Sequence, residues 1–486
     1  MRPFVTADEM TRLDLLTMKK LSISSFELMD RVTDYMLFYF RDFAEQNILF
    51  LCGPGNNGGD AYRLAEKLRQ KGRSVFCIDL LPPHSEDCKK AKELYRGKML
   101  SDIPRTIGVV VDGIFGVHGR SDLPAKISKC LRTVNKMKTF RMSLDVPTGV
   151  DGRTGEVNEN AFVSDLTLTV GFPKSVFVSE KVNEVLGQVK CVGDYFVKPS
   201  SYQYVALENS DFLLKDPKRT GHKGLYGRCG VVGGSPKTPG AALLAAEAAH
   251  RVGAGYVTLY FAKKENLQIK VKDASFLFRM KWKMSDLKKE SSLVLGCGGM
   301  PKNFKYSAIQ VPAVIDADAL SDWPRVKKKF KGKAILTPHP GEAAKMLKYK
   351  TADIQKDRED SLRELVRSTK QAVYLKGAPG LLKFSDEQKI SYVNLSANPI
   401  FSKAGSGDVL SGILGGLLAQ GSEQYIADLE GEAVKAVKGS EQFKRAVISG
   451  LVFQKELGEV LRSKRAAIAS DQLTVFSEVF ARLSKG

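Results

Sequence analysis

Runs of consecutive apolar, β-branched residues alternate along this chain with stretches whose apolar positions recur at helical spacing. In the N-terminal part, "NILFLC", "VFCIDLL", "IGVVVDGIFG", "RMSLDVPTG" and "DLTLTVGF" predict strands, each closed by Gly, Asp or Pro. The apolar residues run nearly without interruption, so these strands should form a parallel sheet covered on both faces. Loops then gather at the carboxyl ends of the strands, where open α/β sheets bind their ligands.

The rhythm breaks from Lys198 to Lys223, a polar stretch with two prolines and little periodicity. It resumes with "GRCGVVGGS", "GYVTLYF", "SSLVLGCGG", "PAVIDADAL", "KAILTPHPG" and "QAVYLKGAP". Two α/β domains are expected, 1–205 and 206–486. A second polar stretch, Ile426 to Gln442, reads as a loop or surface insertion.

Composition changes this picture little. At 486 residues, 43% hydrophobic and 27% charged, the chain is globular with ample core. No window approaches the ~20 apolar residues of a membrane helix. The start "MRPFVTADEMTRLDLL" lacks the basic head and apolar core of a signal peptide, so a cytoplasmic protein is expected. Seven scattered cysteines show no redox or zinc-ribbon spacing and read as reduced, mostly buried thiols. The five histidines form no transition-metal pattern. A net charge of +21 suits polyanionic ligands such as nucleotides, dinucleotides or nucleic acid. Its densest run, Pro324 to Lys333, reads as a solvated face.

The candidate chemistry begins at "CGPGNNGGD", Cys52 to Asp60, between a strand and a helix. Glycines there let backbone N–H groups approach a ligand, and the helix start favours phosphate. The segment therefore reads first as a phosphate-side loop, and its Asn and Asp oxygens can also hold a hard cation such as K⁺ or Mg²⁺. Neither the P-loop nor the dinucleotide fingerprint has this spacing. Asp112 and Asp145 each close a later strand, with Thr148 just beyond, so Asn57, Asp112, Asp145 and Thr148 can converge. In the C-terminal part, Ala404-Gly-Ser-Gly-Asp408 opens an apolar helix, and Gly412, Gly415 and Gly416 should let it pack closely on a neighbour. The N–H groups of Gly405, Ser406 and Gly407 make an anion site. The helix start is expected to keep Asp408 ionised, ready to take a proton from a hydroxyl attacking a phosphate.

The stretches "TADEMTRLD", "GPGNNGGD", "VVVDGIFG" and "SLDVPTG" resemble the YjeF N-terminal domain, an NAD(P)H-hydrate epimerase with a Rossmann-like αβα fold. The resemblance implies that Asn56, Asn57, Gly58, Gly59 and Asp60 bind the hydrated nucleotide. It implies the same for the loop Gly116, Val117, His118, Gly119 and Arg120. Asn57, Asp112 and Thr148 would hold K⁺, and Asp145 would be the acid/base group. Thr148 stands where that family usually has Ser, and His118 interrupts its Gly-Thr-Gly loop, adding bulk or a proton donor.

His222 to Tyr260, "LTPHPGEAAKML", "YLKGAPGLL" and the Gly405–Asp408 motif resemble the YjeF C-terminal domain. That is a ribokinase-like αβα domain with ADP- or ATP-dependent NAD(P)H-hydrate dehydratase activity. By this resemblance Ala241, Gly298 and His339 line the hydrate site. Lys376, Gly377, Ala378, Pro379 and Gly380, with Gly405, Ser406 and Gly407, contact the nucleotide, which brings Mg²⁺. Asp408 acts on the hydrate hydroxyl. Cys297 and Met300 replace the family's usual proline and glycine beside Gly298.

Together the two resemblances imply a bifunctional NAD(P)H-hydrate repair enzyme. It would epimerise R and S hydrates and dehydrate the S form through a phosphorylated intermediate. A homo-oligomer acting on small molecules is expected, without membrane or nucleic-acid partners. Two rivals fit part of the chain: a vitamin or sugar kinase carrying an accessory domain, and an N-terminal domain that only binds, as an RNA-associated module.

Overall fold

The computed structural model describes residues 1–43, 46–213, 220–262, 276–326, 330–387, 389–396, 398–420, 439–462 and 466–484. Of the polar stretches read from the sequence, residues 426–438 and 214–219 lie outside these, as do 327–329 of the lysine run. The chain divides into two compact units, Arg2–Ala206 and Leu207–Gly486.

In the first unit the strands are β1 (Arg2–Pro3), β2 (Ile48–Cys52), β3 (Val75–Asp79), β4 (Lys98–Met99), β5 (Val109–Gly113), β6 (Phe140–Leu144), β7 (Leu166–Val170), β8 (Gln188–Val192) and β9 (Tyr204–Ala206). Seven of them form one sheet in the order β4-β3-β2-β5-β6-β7-β8, with every pair parallel. The short β1 and β9 pair antiparallel. Along β2, Ile48, Phe50 and Cys52 enter one apolar core while Leu49 and Leu51 enter another. That period-two split is why the run is apolar throughout: each face of the sheet has its own helical layer. The strands read from the sequence are all present; β4 and β8, short or half-buried, carry too little apolar signal to be read.

The second unit contains β10 (Arg228–Gly233), β11 (Tyr256–Phe261), β12 (Leu277–Arg279), β13 (Ser292–Leu295), β14 (Ala313–Ile315), β15 (Ala334–Leu336), β16 (Ala372–Leu375), β17 (Gly380–Lys383) and β18 (Ser391–Asn394). They follow the order β18-β17-β16-β15-β14-β13-β10-β11-β12. From β12 to β16 all pairs are parallel, and β16, β17 and β18 pair antiparallel. The turn "KGAPG" between β16 and β17 is therefore a hairpin.

Three helices pack together: Pro239–Arg251, Ser406–Gln420 and Gly439–Leu461. The middle one is buried along nearly its whole length. As its glycines suggest, its backbone lies against its neighbour: a Cβ at Gly412 would fall 2.2 Å from Ala245 O. Arg358–Thr369 belongs to a second helical group and packs on β16 and β17.

Candidate functional site

The first crevice lies at the carboxyl ends of β2, β5 and β6. The segment Asn56 to Asp60 is not a loop, as its glycines suggested, but the first turn of the helix Asn56–Gln70. Gly55 caps it without a side-chain acceptor. The first N–H groups of a helix have no intrahelical partner, so this start is a natural anion site. Glycine serves close approach here: a Cβ on Gly58 would fall 2.1 Å from Gly53 O.

Asp112 ends β5 fully buried. Its Oδ1 accepts from Thr148 Oγ1 at 2.8 Å and from Ile114 N at 3.1 Å, and its Oδ2 accepts from Thr148 N at 2.7 Å. Thr148 Oγ1 also accepts from Phe115 N at 3.1 Å, and Thr148 O accepts from Phe162 N at 2.9 Å. Burial pushes the Asp112 carboxyl up to about 6, against the pull of these donors. No ion pair to it occurs among the described residues. The Asn57 amide nitrogen is buried beside this strand end without a partner, and amide N and O positions are interchangeable by a flip. A buried, uncompensated carboxylate, a free amide and a half-used carbonyl together fit a hard monovalent cation.

Asp145 follows β6 in a left-handed conformation, φ 66°. Its Oδ2 accepts from Val117 N at 2.9 Å, and its Oδ1 accepts from Val170 N at 3.2 Å and Thr169 Oγ1 at 3.3 Å. The decisive partner is Lys174, which is fully buried and lies 2.7 Å from Oδ1. Lys174 also donates to Thr169 Oγ1 and to the carbonyls of Val170 and Phe172. Burial opposes the Asp145 charge, but Lys174 and the backbone donors outweigh it and hold the carboxyl below its usual value. A Cβ on Gly116 would sit 3.0 Å from Asp145 Oδ2 and 3.5 Å from Asn57 Cβ, so Asn57, Gly116 and Asp145 do meet.

His118 does not enter the crevice. It is exposed and bonds through Nε2 to Thr11 Oγ1 at 2.9 Å, tying the Gly116–Gly119 turn to the helix Ala7–Leu21. Arg120 is exposed. Thr11, Asp14, Asn56, Asp60 and Val170 line a cavity of about 270 Å³ with apolar walls. Burial drives the Asp60 carboxyl well above its usual range, with Asp145, Asp14 and Asp87 adding to it. Lys174 and Asp14 were not singled out in the sequence. Only their meeting with Asp145 marks them, and an isolated Lys or helical Asp carries no such signal.

The second crevice forms at the start of Ser406–Gln420. Asp408 is half-buried there, and its carboxyl titrates higher than a helix start alone would set it. Burial and nearby Asp316 push its carboxyl up to about 6, against the Cys297 thiol and Lys376. Desolvation and a like charge outweigh the helix start. Lys376, after β16, places its ammonium 2.9 Å from Asp316 Oδ1 and 3.9 Å from Glu342. Burial presses that ammonium down, but Asp316 and Glu342 outweigh it, so it stays charged. Asp316, 2% exposed, also accepts from Ser411 Oγ at 2.8 Å. A Cβ on Gly407 would lie 3.3 Å from Lys376 Nζ, which puts this ammonium beneath the glycine-rich helix start.

The Lys376–Gly380 turn is held from behind by Arg358, which donates to the carbonyls of Leu375, Lys376 and Pro379. The Ser406 N–H is already engaged by Lys403 O, and its hydroxyl joins Ile400 O and Gln472. Gly298 and Ala241 adjoin: a Cβ on Gly298 would fall 3.1 Å from that of Ala241, and Thr238 Oγ1 donates to Gly298 O at 2.7 Å. His339 caps the helix Pro340–Leu347, with Nδ1 accepting from Gly341 N and Glu342 N, and its ring is 57% exposed. Cys297 is buried against Asp408, and burial drives its thiol far up. Asp316, Glu342 and Arg358 escaped sequence reading, although Asp316 ends β14 in "VIDADAL", the same signal as Asp112 on β5.

A family model described as NAD(P)H-hydrate dehydratase matches residues 229–461, and one described as YjeF-related protein N-terminus matches 18–176. A bifunctional NAD(P)H-hydrate repair enzyme Nnr of Moorella thermoacetica is 30% identical, over 99% of this chain and 97% of that protein. The Escherichia coli protein of the same description is 29% identical, over 79% and 78%. Among solved structures, the ADP/ATP-dependent NAD(P)H-hydrate dehydratase from Bacillus subtilis, co-crystallized with ATP/Mg2+, is 22% identical. It covers 56% of this chain and 96% of that one, with a TM-score of 0.44.

Proposed function

The chain belongs to the family of bifunctional NAD(P)H-hydrate repair enzymes, epimerase and dehydratase in one polypeptide; from that premise we propose that Asp145 works in the first crevice and Asp408 in the second. The observation that carries this reading is the second cluster: an acid at a glycine-rich helix start, with a half-buried ammonium beneath the same start. Such a site takes a proton from a hydroxyl while neutralising the phosphoryl group that the hydroxyl attacks.

In the dehydratase, Asp408 accepts the proton of the hydrate hydroxyl as its oxygen bonds to the terminal phosphorus of ADP or ATP. The bond from that phosphorus to the nucleotide breaks. Phosphate then departs from the ring carbon with its electron pair, pushed by the ring nitrogen. Loss of a proton from the neighbouring carbon restores NADH or NADPH. Lys376, with the amides of Gly405 and Gly407 and the Gly377–Gly380 turn, receives the phosphates. Ala241, Gly298 and His339 line the hydrate side. Asp316 and Glu342 are the carboxylates that fit a nucleotide-borne Mg²⁺, which supplies further charge neutralisation.

In the epimerase, Asn56–Asp60 with Gly116, Val117 and Gly119 of the following turn hold the hydrated nucleotide over Asp145, which exchanges a proton during epimerisation. Asn57, Asp112 and Thr148 are the residues that fit K⁺, which supplies a fixed positive charge for the nucleotide. The reading also makes the enzyme a cytoplasmic homo-oligomer. No helix among the described residues is long and apolar enough to cross a membrane.

The test is the nucleotide requirement. With ADP or ATP and Mg²⁺, the protein should return both purified epimers to NAD(P)H. Without nucleotide it should only equilibrate them. Recovery of NAD(P)H without nucleotide, or phosphorylation of pyridoxine, thiazole or sugar acceptors in its place, would refute this reading.

Potassium has its own signature. The neutral Asp112 carboxyl favours the fold, and that contribution fades as pH rises from 3.8 through about 6. A cation on the ionised form restores it. Replacing K⁺ by tetramethylammonium should therefore lower the unfolding temperature of the first unit more at about pH 8 than at about pH 5. The loss amounts to about 2.7 kcal/mol if K⁺ stood at about a hundred times its Kd. An equal effect at both pH values would exclude Asp112 as a ligand.

A further inference from the structure

One face of the helix Ala7–Leu21 turns Thr11, Asp14, Leu15 and Met18 into the first crevice, at spacings of three, four and seven residues along the helix. Asn56 and Asp60 from the start of Asn56–Gln70, with Val170, form part of the wall of the same cavity. Val170 N–H is a donor to Asp145, so one residue of the wall that includes Asp14 is bonded directly to Asp145. The loop expected to bind the hydrated nucleotide is fastened to this same helix by the His118–Thr11 bond, one turn from Asp14. Asp14 has no basic residue as a hydrogen-bonded partner among the described residues, whereas Asp145 has Lys174.

We propose that Asp14 is a second catalytic carboxyl of the epimerase, the acid that protonates the departing hydroxyl while Asp145 remains the anion facing the ring. This rests on the reading that the first unit epimerises the hydrate through Asp145.

The surroundings separate the two acids. Burial pushes the Asp14 carboxyl up to about 7, with Lys174 opposing and Asp145 adding to the push. Lys174 holds Asp145 on the other side of the ordinary value. The charged groups facing Asp14 are Asp60 from the neighbouring helix, Asp145 from the end of β6, and Lys174 beyond β7. The Asp60 carboxyl is itself pushed well up by burial. Two acids pushed apart in this way divide into proton donor and standing anion.

The step balances. The Asp14 carboxyl gives its proton to the ring hydroxyl as the C–O bond breaks, and water leaves with the bonding pair. The ring nitrogen lone pair forms a C=N bond, and the Asp145 carboxylate offsets the resulting positive charge. Water adds to the opposite face, the Asp145 carboxylate takes its proton, and solvent in the cleft carries that proton on to the Asp14 carboxylate. Nothing is oxidised, and both acids end as they began.

The experiment follows equilibration of the purified R epimer without nucleotide, above the spontaneous rate, using the intact chain. Wild-type rate should fall as pH rises through about 7, since Asp14 acts while protonated. Asp14→Asn should lower kcat about 10²–10⁴-fold with KM little changed, and the fall through neutrality should vanish. Dehydration of the S epimer with ADP should be unchanged in that variant. A wild-type profile flat through neutrality overturns the proposal whether or not the variant folds. So does an Asp14→Asn protein that keeps its rate, or one that is slow but keeps the same pH dependence. Failure of the underlying reading looks different: Asp145→Asn would then equilibrate the epimers normally.

Discussion

Asp408→Asn should stop recovery of NAD(P)H from either epimer, lowering kcat for dehydration about 10²–10⁴-fold. The amide preserves shape and the contact with Cys297 but cannot accept the proton of the attacking hydroxyl. Asp408 works ionised and its carboxyl lies near 6, so the wild-type rate should climb as pH rises through that value. The residual rate of the variant should not. Because the epimerase residues belong to Arg2–Ala206, R and S forms should still equilibrate in this variant. Dehydration at the wild-type rate, measured as nicotinamide absorbance regained with ADP or ATP, would remove Asp408 from the mechanism.

Asp145→Asn should leave the R epimer unconsumed while the S epimer is repaired normally. It should also weaken the first unit. Lys174 is fully buried, and losing its carboxylate leaves an uncompensated charge that costs about 3–5 kcal/mol. Chemistry and stability separate in the double variant Asp145→Asn/Lys174→Met, which removes the stranded charge. It should recover most of the unfolding temperature and none of the R-epimer turnover. The ion pair also sets an acid limit: its contribution is present above the ordinary carboxylate range and is lost as pH falls through the lowered Asp145 value. R-epimer consumption by Asp145→Asn at the wild-type rate, beyond spontaneous interconversion, would defeat the assignment.

How far these sites were legible varies residue by residue. Asp112, Asp145 and Asp408 stand out because each ends or begins a regular element with an abrupt change from apolar to polar. The "NNGGD" segment stood out for its glycines but was misread as a loop. Gly58 is needed because Gly53 O, five residues earlier in the same turn, lies against the helix start. His118 was weighed as a crevice residue, yet its partner is Thr11, more than a hundred positions earlier. Asp408 was expected to be held ionised by a helix start, whereas burial and the like charge of Asp316, which follows another strand, push its carboxyl up.

The strands buried on both faces, the two-unit plan and the glycine-rich start of the helix Ser406–Gln420 were determined by sequence alone. They depend on periodicity and backbone sterics acting over a few neighbouring residues. Which acids are charged, and which partner each one meets, was decided only by tertiary structure. Lys174 with Asp145, Lys376 with Asp316, and Asp14 beside Asp60 are brought together by chain crossings, and desolvation exists only once those crossings exclude water.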